Sequence, residues 1–141
     1  MALICDTSGL FALYDASNVD HAATVAVVEG EPGELLVPVV LLVEIDYMLH
    51  SRLGVDAARD FFEAVERGDF VLVPFLPADV VRCGELLTRY RAMDIGLADA
   101  AVVAAAERLG IPRLLCLDQR HFRAITPRNA SHFVLLPADT P

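Results

Sequence analysis

The chain has 141 residues, of which 55% are hydrophobic, so it suits one compact domain with a single core and is not an intrinsically disordered protein. Its net charge of −9 is opposite to the basic surface on which most nucleic-acid-binding proteins depend, but it is compatible with an enzyme that approaches phosphates through metal ions held by acidic residues. No apolar run reaches the roughly 18 residues that a membrane span requires, and the N-terminus lacks the basic segment of a secretion signal.

The cysteines and the basic residues add two constraints. Cys5, Cys83 and Cys116 have no zinc-binding spacing and are odd in number, so we expect reduced, buried thiols in the cytoplasm. All eleven basic residues are arginine, and the absence of lysine excludes mechanisms that depend on a lysine ammonium group.

The first half of the chain alternates short apolar strands with helices. The first strand ends in an acid, Asp6, and we expect Thr7 and Ser8 to cap the helix that follows. Glu44 stands among apolar neighbours in the middle of the long third helix. The predicted elements are strands at 3–6 and 35–37 and helices at 9–16, 19–29 and 39–53.

The second half continues the alternation. Its most distinctive segment is an alanine-rich helix that begins at Leu97, has Asp99 in its first turn and stops at Gly110; its almost entirely apolar body predicts burial against a sheet. A later strand is followed by Asp118 and the segment 119–122, after which a loop to the last strand is expected. The predicted elements are helices at 56–67, 77–91 and 97–109 and strands at 70–73, 113–117 and 132–136.

Short, apolar strands that alternate with helices predict an α/β fold, a three-layer α/β/α sandwich with a mostly parallel sheet of about five strands. We expect one domain over 1–136 and a frayed tail over 137–141. In such sheets ligands bind at the carboxyl ends of the strands, near the point where the strand order reverses.

We expect four acids to lie at this edge of the sheet. Asp6 and Asp118 end strands, and Asp99 and Glu44 lie on helices between strands. At ~5 Å and an effective dielectric near 20, each like-charged pair costs on the order of 3 kcal/mol. A counter-charge is therefore required. With no lysine and no clustered His or Cys, an all-oxygen ligand set favours Mg²⁺ or Mn²⁺.

Each acid also has a simpler interpretation. Asp6 and Asp99 are suited to capping helices, Asp118 to starting a turn, and Glu44 to a solvated helix face. It is the joint pattern that indicates a metal site.

The segments Ile4-Cys5-Asp6-Thr7-Ser8, Val43-Glu44-Ile45, Gly96-Leu97-Ala98-Asp99-Ala100 and Leu117-Asp118-Gln119-Arg120-His121-Phe122 occur in an order that resembles the PIN-domain nucleases. Among these nucleases the chain is most similar to the VapC-type toxins of bacterial toxin–antitoxin pairs. The resemblance covers nearly the whole chain.

The resemblance implies that Asp6, Glu44, Asp99 and Asp118 bind Mg²⁺ or Mn²⁺, and that Thr7 or Ser8 supplies a hydroxyl near the metal. It further implies cleavage of structured RNA, tRNA or ribosomal RNA, by metal-activated water. The implied partners are a small VapB-like antitoxin and a second copy of the chain in a homodimer. The implied location is the cytoplasm, without membrane attachment.

Several other residues near these motifs have open roles. We assign Arg120, with Thr7 and Ser8, to substrate binding, although a surface charge explains Arg120 equally well. His121 is interpreted as a loop or packing residue, and Asp94 as a solvated loop residue or cap. Phe11 and Tyr14 on the first helix belong either to the core or to an antitoxin or dimer interface.

Four alternatives compete with this interpretation. A response-regulator receiver domain requires a lysine, and a haloacid-dehalogenase phosphatase requires an acid where Ser8 stands. The alternatives that remain are a PIN-type RNA-processing nuclease without a toxin role and an acidic-pocket α/β domain that only binds a partner.

Overall fold

The computed structural model describes residues 2–141, and these residues contain a five-stranded sheet in the order β3-β2-β1-β4-β5. Every neighbouring pair of strands is parallel, so the α/β prediction is confirmed and the sheet is wholly parallel. The strands are β1 (Leu3–Cys5), β2 (Leu35–Pro38), β3 (Val71–Val73), β4 (Arg113–Leu115) and β5 (Val134–Leu136).

Helices connect the strands and cover the sheet, as expected for parallel strands that cannot be joined by tight hairpins. The described residues form α1 (Thr7–Tyr14), α2 (His21–Gly30), α3 (Leu42–Leu53), α4 (Val55–Arg67), α5 (Pro77–Arg89), α6 (Leu97–Leu109) and α7 (Gln119–Ala124), with short 3-10 helices at Val39–Leu41 and Arg91–Met93.

The strand order reverses at β1, and this reversal positions the site. Ile4 in β1 is in register with Leu36 of β2 on one side and with Leu114 of β4 on the other. The chain builds one half of the sheet from β1 to β3 and then crosses to β4 on the other side of β1. The strand order therefore reverses between the neighbouring strands β1 and β4. The carboxyl ends of these two strands form the crevice in which ligands bind in open α/β sheets.

The alanine-rich helix α6 is buried as predicted. Residues 100–106 are all at most 4% exposed, and the helix ends at Gly110, which has a left-handed φ of 68°. Small side chains let the helix lie close to the sheet, so its N-terminal turn is fixed relative to the strand ends. The three cysteines are free and buried, in agreement with the sequence interpretation.

Helix α1 lies unusually close to the sheet at Gly9. A Cβ atom built on Gly9 would lie 2.5 Å from the carbonyl oxygen of Leu115 in β4. Only glycine permits this contact, and Asp6 N–H also donates to the Leu115 carbonyl at 2.9 Å. The end of β1 is thus held against the end of β4.

Three local predictions were wrong. The first helix is capped by Asp6, two residues earlier than expected, because its carboxylate accepts from Ser8 N–H. Glu44 lies in the first turn of α3, since the chain forms a separate 3-10 helix after Pro38. The loop predicted after Phe122 begins only after Ala124, because residues 119–124 form a helix, α7, that the sequence did not predict. Its six residues are too few for a clear periodic pattern.

The C-terminal tail differs from expectation, and the first helix agrees with one of the two interpretations left open for it. Asp139 accepts hydrogen bonds from Arg123 and from Leu135 N–H, so this part of the tail is held against β5 rather than frayed. Phe11 is only 9% exposed and belongs to the core, and Tyr14 is partly buried and packs edge-on against Phe61. None of the helices in residues 2–141 combines the length and the apolar character needed to cross a membrane.

Candidate active site

A cavity of about 320 Å³ lies at the carboxyl edge of the sheet, where the strand order reverses. All four sequence-predicted acids line it. The first turns of α1 and α6, together with Met48 of α3, supply the remaining walls. The lining residues are Asp6, Thr7, Ser8, Glu44, Met48, Gly96, Ala98, Asp99 and Asp118.

Asp6 forms the floor of this acidic pocket. It is 5% exposed and caps α1. Its Oδ2 accepts a 2.8 Å hydrogen bond from the Ser8 hydroxyl. The Ser8 hydroxyl oxygen in turn accepts a hydrogen bond of 2.9 Å from Leu117 N–H and a longer one of 3.4 Å from Asp118 N–H. Ser8 therefore ties the carboxylate after β1 to the backbone after β4, which fixes two of the predicted acids relative to each other.

Asp99 enters the pocket from the first turn of α6, where the unpaired N–H groups and the helix dipole favour a negative charge. Its Oδ2 lies 2.6 Å from Nδ1 of His121 on α7. Burial raises the pKa of Asp99. His121 opposes this effect, while the charges of Asp118 and Glu44 add to it.

Glu44 and Asp118 form the rim, and both are exposed. Glu44 projects from the first turn of α3, and Asp118 caps α7 without a hydrogen bond from its side chain to that helix. The pocket thus has one buried carboxylate, Asp6, one partly buried carboxylate, Asp99, and two solvated ones at its opening. Solvated carboxylates at the opening remain available to a ligand.

Asp6 has the clearest electrostatic signature. Burial is the main cause that raises its pKa to about 6; the Ser8 hydrogen bonds oppose this rise and the charge of Asp99 adds to it. An isolated carboxylate this deeply buried is costly unless a cation or a proton compensates it. The charge of Asp99 thus raises the pKa of Asp6, and the charges of Asp118 and Glu44 raise the pKa of Asp99, as expected for acids that lie near one another.

The residues fit a divalent cation in chemistry, but a closed ligand cage is not formed. The donor set is all oxygen and anionic, as Mg²⁺ and Mn²⁺ require. Thr7 adds a buried hydroxyl oxygen that, among the described residues, has no hydrogen-bond partner. Within residues 2–141, however, no three His, Cys, Asp or Glu side chains are close enough together to hold a metal. The four acids therefore line one cavity, as expected, but their oxygens are not close enough together to coordinate one cation.

The other predicted residues have distinct positions. Arg120 is exposed on α7, two residues beyond Asp118, and does not line the pocket. Asp94 is exposed and ends a 3-10 helix with a φ of 52°, consistent with the predicted loop or cap. Asp46 lies outside the pocket, as its position on the helix predicted.

His121 is the residue that sequence reasoning missed. It was interpreted as a packing or loop residue because a single histidine after an acid has no specific signature. The contact with Asp99 depends on α7, which the sequence did not predict. The one sequence feature that could have indicated a position near the site is that His121 follows Asp118 by three residues. Without α7, this spacing does not predict a contact with Asp99.

Comparisons with known proteins agree with this geometry. The family model of the PIN domain matches residues 3–126. Ribonuclease VapC26 of Mycobacterium tuberculosis (strain ATCC 25618 / H37Rv) is 34% identical over 135 residues, which cover 96% of this chain and 100% of that protein. Mycobacterium tuberculosis VapC20, a sarcin–ricin loop cleaving toxin, has a crystal structure that matches with a TM-score of 0.75 at 21% identity. That match covers 82% of this chain and 89% of the other, and it supports the fold.

Proposed function

The chain belongs to the PIN-domain family of VapC-type ribonucleases, and on this premise we propose that it is a Mg²⁺- or Mn²⁺-dependent endoribonuclease, the toxin of a type II toxin–antitoxin pair. The observation that carries the proposal is the pocket in which Asp6, Glu44, Asp99 and Asp118 come together at the reversal of strand order. Four carboxylates around one cavity are suited to a hard dication and repel a phosphate without one.

In the proposed mechanism Asp6, Asp99 and Asp118 hold the cation, and Glu44 binds it directly or through water. When bound, the cation supplies an activated water and neutralises charge on the phosphate. Ser8 fixes the orientation of Asp6, and His121 does the same for Asp99 while leaving its second oxygen free. No side chain is required as a nucleophile.

We assign the substrate contacts to Arg120, Thr7 and Ser8. Arg120 is exposed beside the pocket opening, where its guanidinium group can bind a neighbouring phosphate of the RNA in bidentate fashion. Thr7 and Ser8 line the pocket floor, and the unpaired Thr7 hydroxyl is a donor or acceptor for groups that enter it.

The proposed substrate is a structured RNA, either tRNA or ribosomal RNA, cut in the cytoplasm. The printed description of VapC20 as a sarcin–ricin loop cleaving toxin supports this class of substrate. The proposed partners are a VapB-like antitoxin and a second copy of the chain. Val43 and Tyr47 of α3, which are 80% and 72% exposed, give the surface an apolar face that a homodimer would bury.

Expression of the protein followed by mapping of RNA ends tests the proposal. We expect growth arrest and new RNA ends with the unmodified protein, neither with Asp6→Asn, and both with Asp46→Asn, which removes a carboxylate outside the pocket. Rescue of growth by a co-expressed antitoxin would support the toxin role. Cleavage without growth arrest would favour an RNA-processing nuclease, and a protein that cuts no RNA would favour a binding domain.

A further inference from the structure

Most of the arginines are committed to ion pairs. Among residues 2–141, seven of the eleven have a side-chain nitrogen within 4.0 Å of an Asp or Glu oxygen. Arg82 and Glu107, for example, form a bidentate pair at 2.7 and 3.0 Å. The four that form no such pair are Arg52, Arg89, Arg91 and Arg120. In a protein with a net charge of −9, guanidinium groups without an acidic partner are the ones available to phosphates.

Arg52 extends a row of pocket residues along α3. Glu44 and Met48 line the pocket, and Arg52 follows them at the same four-residue spacing, so the three side chains lie along one side of the helix. At a rise of 1.5 Å per residue, Arg52 lies about 12 Å along α3 from Glu44.

A second row leads from the pocket to the same point along α1. Thr7 lines the pocket floor, and Phe11 lies one turn further along the helix. The guanidinium carbon of Arg52 lies 5.4 Å from the centre of the Phe11 ring. The two rows of side chains, one on α3 and one on α1, therefore meet where Arg52 packs against Phe11. This contact lies at the end of a surface that begins in the acidic pocket at Glu44 and Thr7.

The stacking prepares Arg52 to bind an anion. A guanidinium group packed on an aromatic face keeps its N–H donors along its edge, in a planar arrangement that matches phosphate oxygens. The side chain is exposed, and no carboxylate competes for it within 4.0 Å among the described residues.

Arg52 and Arg120 lie on different elements that border the pocket, α3 and α7. We propose that Arg52 is a phosphate-binding subsite, distinct from the acidic pocket, that holds the RNA strand on the α3 side while Arg120 holds it on the α7 side. This inference rests on the proposed nuclease function. It defines a path for a single strand across the pocket, with the cut made between two cationic contacts.

The test compares Arg52→Gln with Arg67→Gln, which makes the same change in charge. Arg67 is exposed, forms a surface pair with Asp69, and lies in the last turn of α4, just before β3 enters the sheet from the edge opposite the pocket. Binding of a fluorescein-labelled single-stranded oligoribonucleotide is measured by anisotropy at several salt concentrations, with Ca²⁺ in place of Mg²⁺ to prevent cleavage.

We expect Arg52→Gln to bind about tenfold more weakly than the unmodified protein, with a slope of log K against log salt that is smaller by about 0.7, as for one lost phosphate contact. Arg67→Gln should retain both values. Arg52→Lys keeps the charge but not the planar fork, so it should recover binding in part.

Affinity for Mn²⁺ separates a lost phosphate contact from a damaged pocket. Arg52→Gln should bind Mn²⁺ as the unmodified protein does, and a weakened Mn²⁺ affinity would overturn the inference. Equal RNA binding by Arg52→Gln and Arg67→Gln, with RNA cleavage intact in the unmodified protein, would overturn it while the proposed function stands. If the unmodified protein neither binds nor cuts RNA, both fail.

Discussion

Nδ1 of His121 lies 2.6 Å from Oδ2 of Asp99, which joins α7 to the first turn of α6 across the acidic pocket. The contact uses one oxygen of the carboxylate and holds the other in a fixed direction. Groups that orient a metal-binding carboxylate in this way commonly affect metal affinity or activity by about 10–100-fold.

His121→Ala should therefore lower Mg²⁺-dependent RNA cleavage by about 10–100-fold while the protein stays folded. The matched control is His132→Ala, because His132 is exposed and, within residues 2–141, its side chain forms a hydrogen bond only with Ser131. Cleavage rates measured at saturating Mg²⁺ provide the comparison. If the two variants cleave equally well, His121 has no orienting role.

The pKa of Asp6 makes a prediction about stability without metal. Burial raises this pKa to about 6, above its value in the unfolded chain, so between pH about 4 and about 6 the folded state holds a proton that the unfolded chain has lost. The free energy of unfolding should fall as the pH rises through this window and level off above it. The upper limit of the loss is about 3 kcal/mol, from a shift of roughly two pKa units.

Asp6→Asn removes this dependence because its amide does not ionise, and Asn is also a good helix cap. In EDTA at pH 7 the variant should be more stable than the unmodified protein, as measured by urea unfolding. Mg²⁺ should stabilise the unmodified protein and leave the variant unchanged. A variant that is less stable than the unmodified protein at pH 7 in EDTA would contradict the cost assigned to the Asp6 carboxylate.

The contact of Gly9 with β4 predicts a strong effect of a single methyl group. Because a Cβ would lie 2.5 Å from the Leu115 carbonyl oxygen, Gly9→Ala should push α1 from the sheet and cost about 1–3 kcal/mol. The control is Gly84→Ala in α5, where a Cβ meets no atom within 4 Å and should stabilise the helix by about 0.5–1 kcal/mol. Thermal unfolding distinguishes the two substitutions, and equal effects would show that the close contact has no energetic importance.

The sequence alone was sufficient to predict the elements whose residues form a clear local pattern. The Ala-rich run and Gly110 defined α6 correctly, and apolar strands followed by acids located the edge of the sheet where Asp6 and Asp118 lie. These features follow from burial and from turn chemistry, which neighbouring residues determine.

The remaining features depend on tertiary contacts. The cap of α1 shifted to Asp6 because this carboxylate and the Ser8 hydroxyl bond to each other. The contact of His121 with Asp99, 22 residues away in the chain, depends on the position of α7. The different exposure of the four acids, with Asp6 buried, Asp99 partly buried, and Glu44 and Asp118 exposed, is likewise set by packing, which periodicity alone does not specify.

The most direct test of the account is the binding of Mn²⁺ to the folded protein, measured by isothermal titration calorimetry at pH 7. We expect a site that is lost in Asp6→Asn and in Asp99→Asn and retained in Asp46→Asn, since of these three residues only Asp6 and Asp99 line the pocket. Undiminished Mn²⁺ binding by both pocket variants would contradict the claim that these carboxylates act together as one cation site.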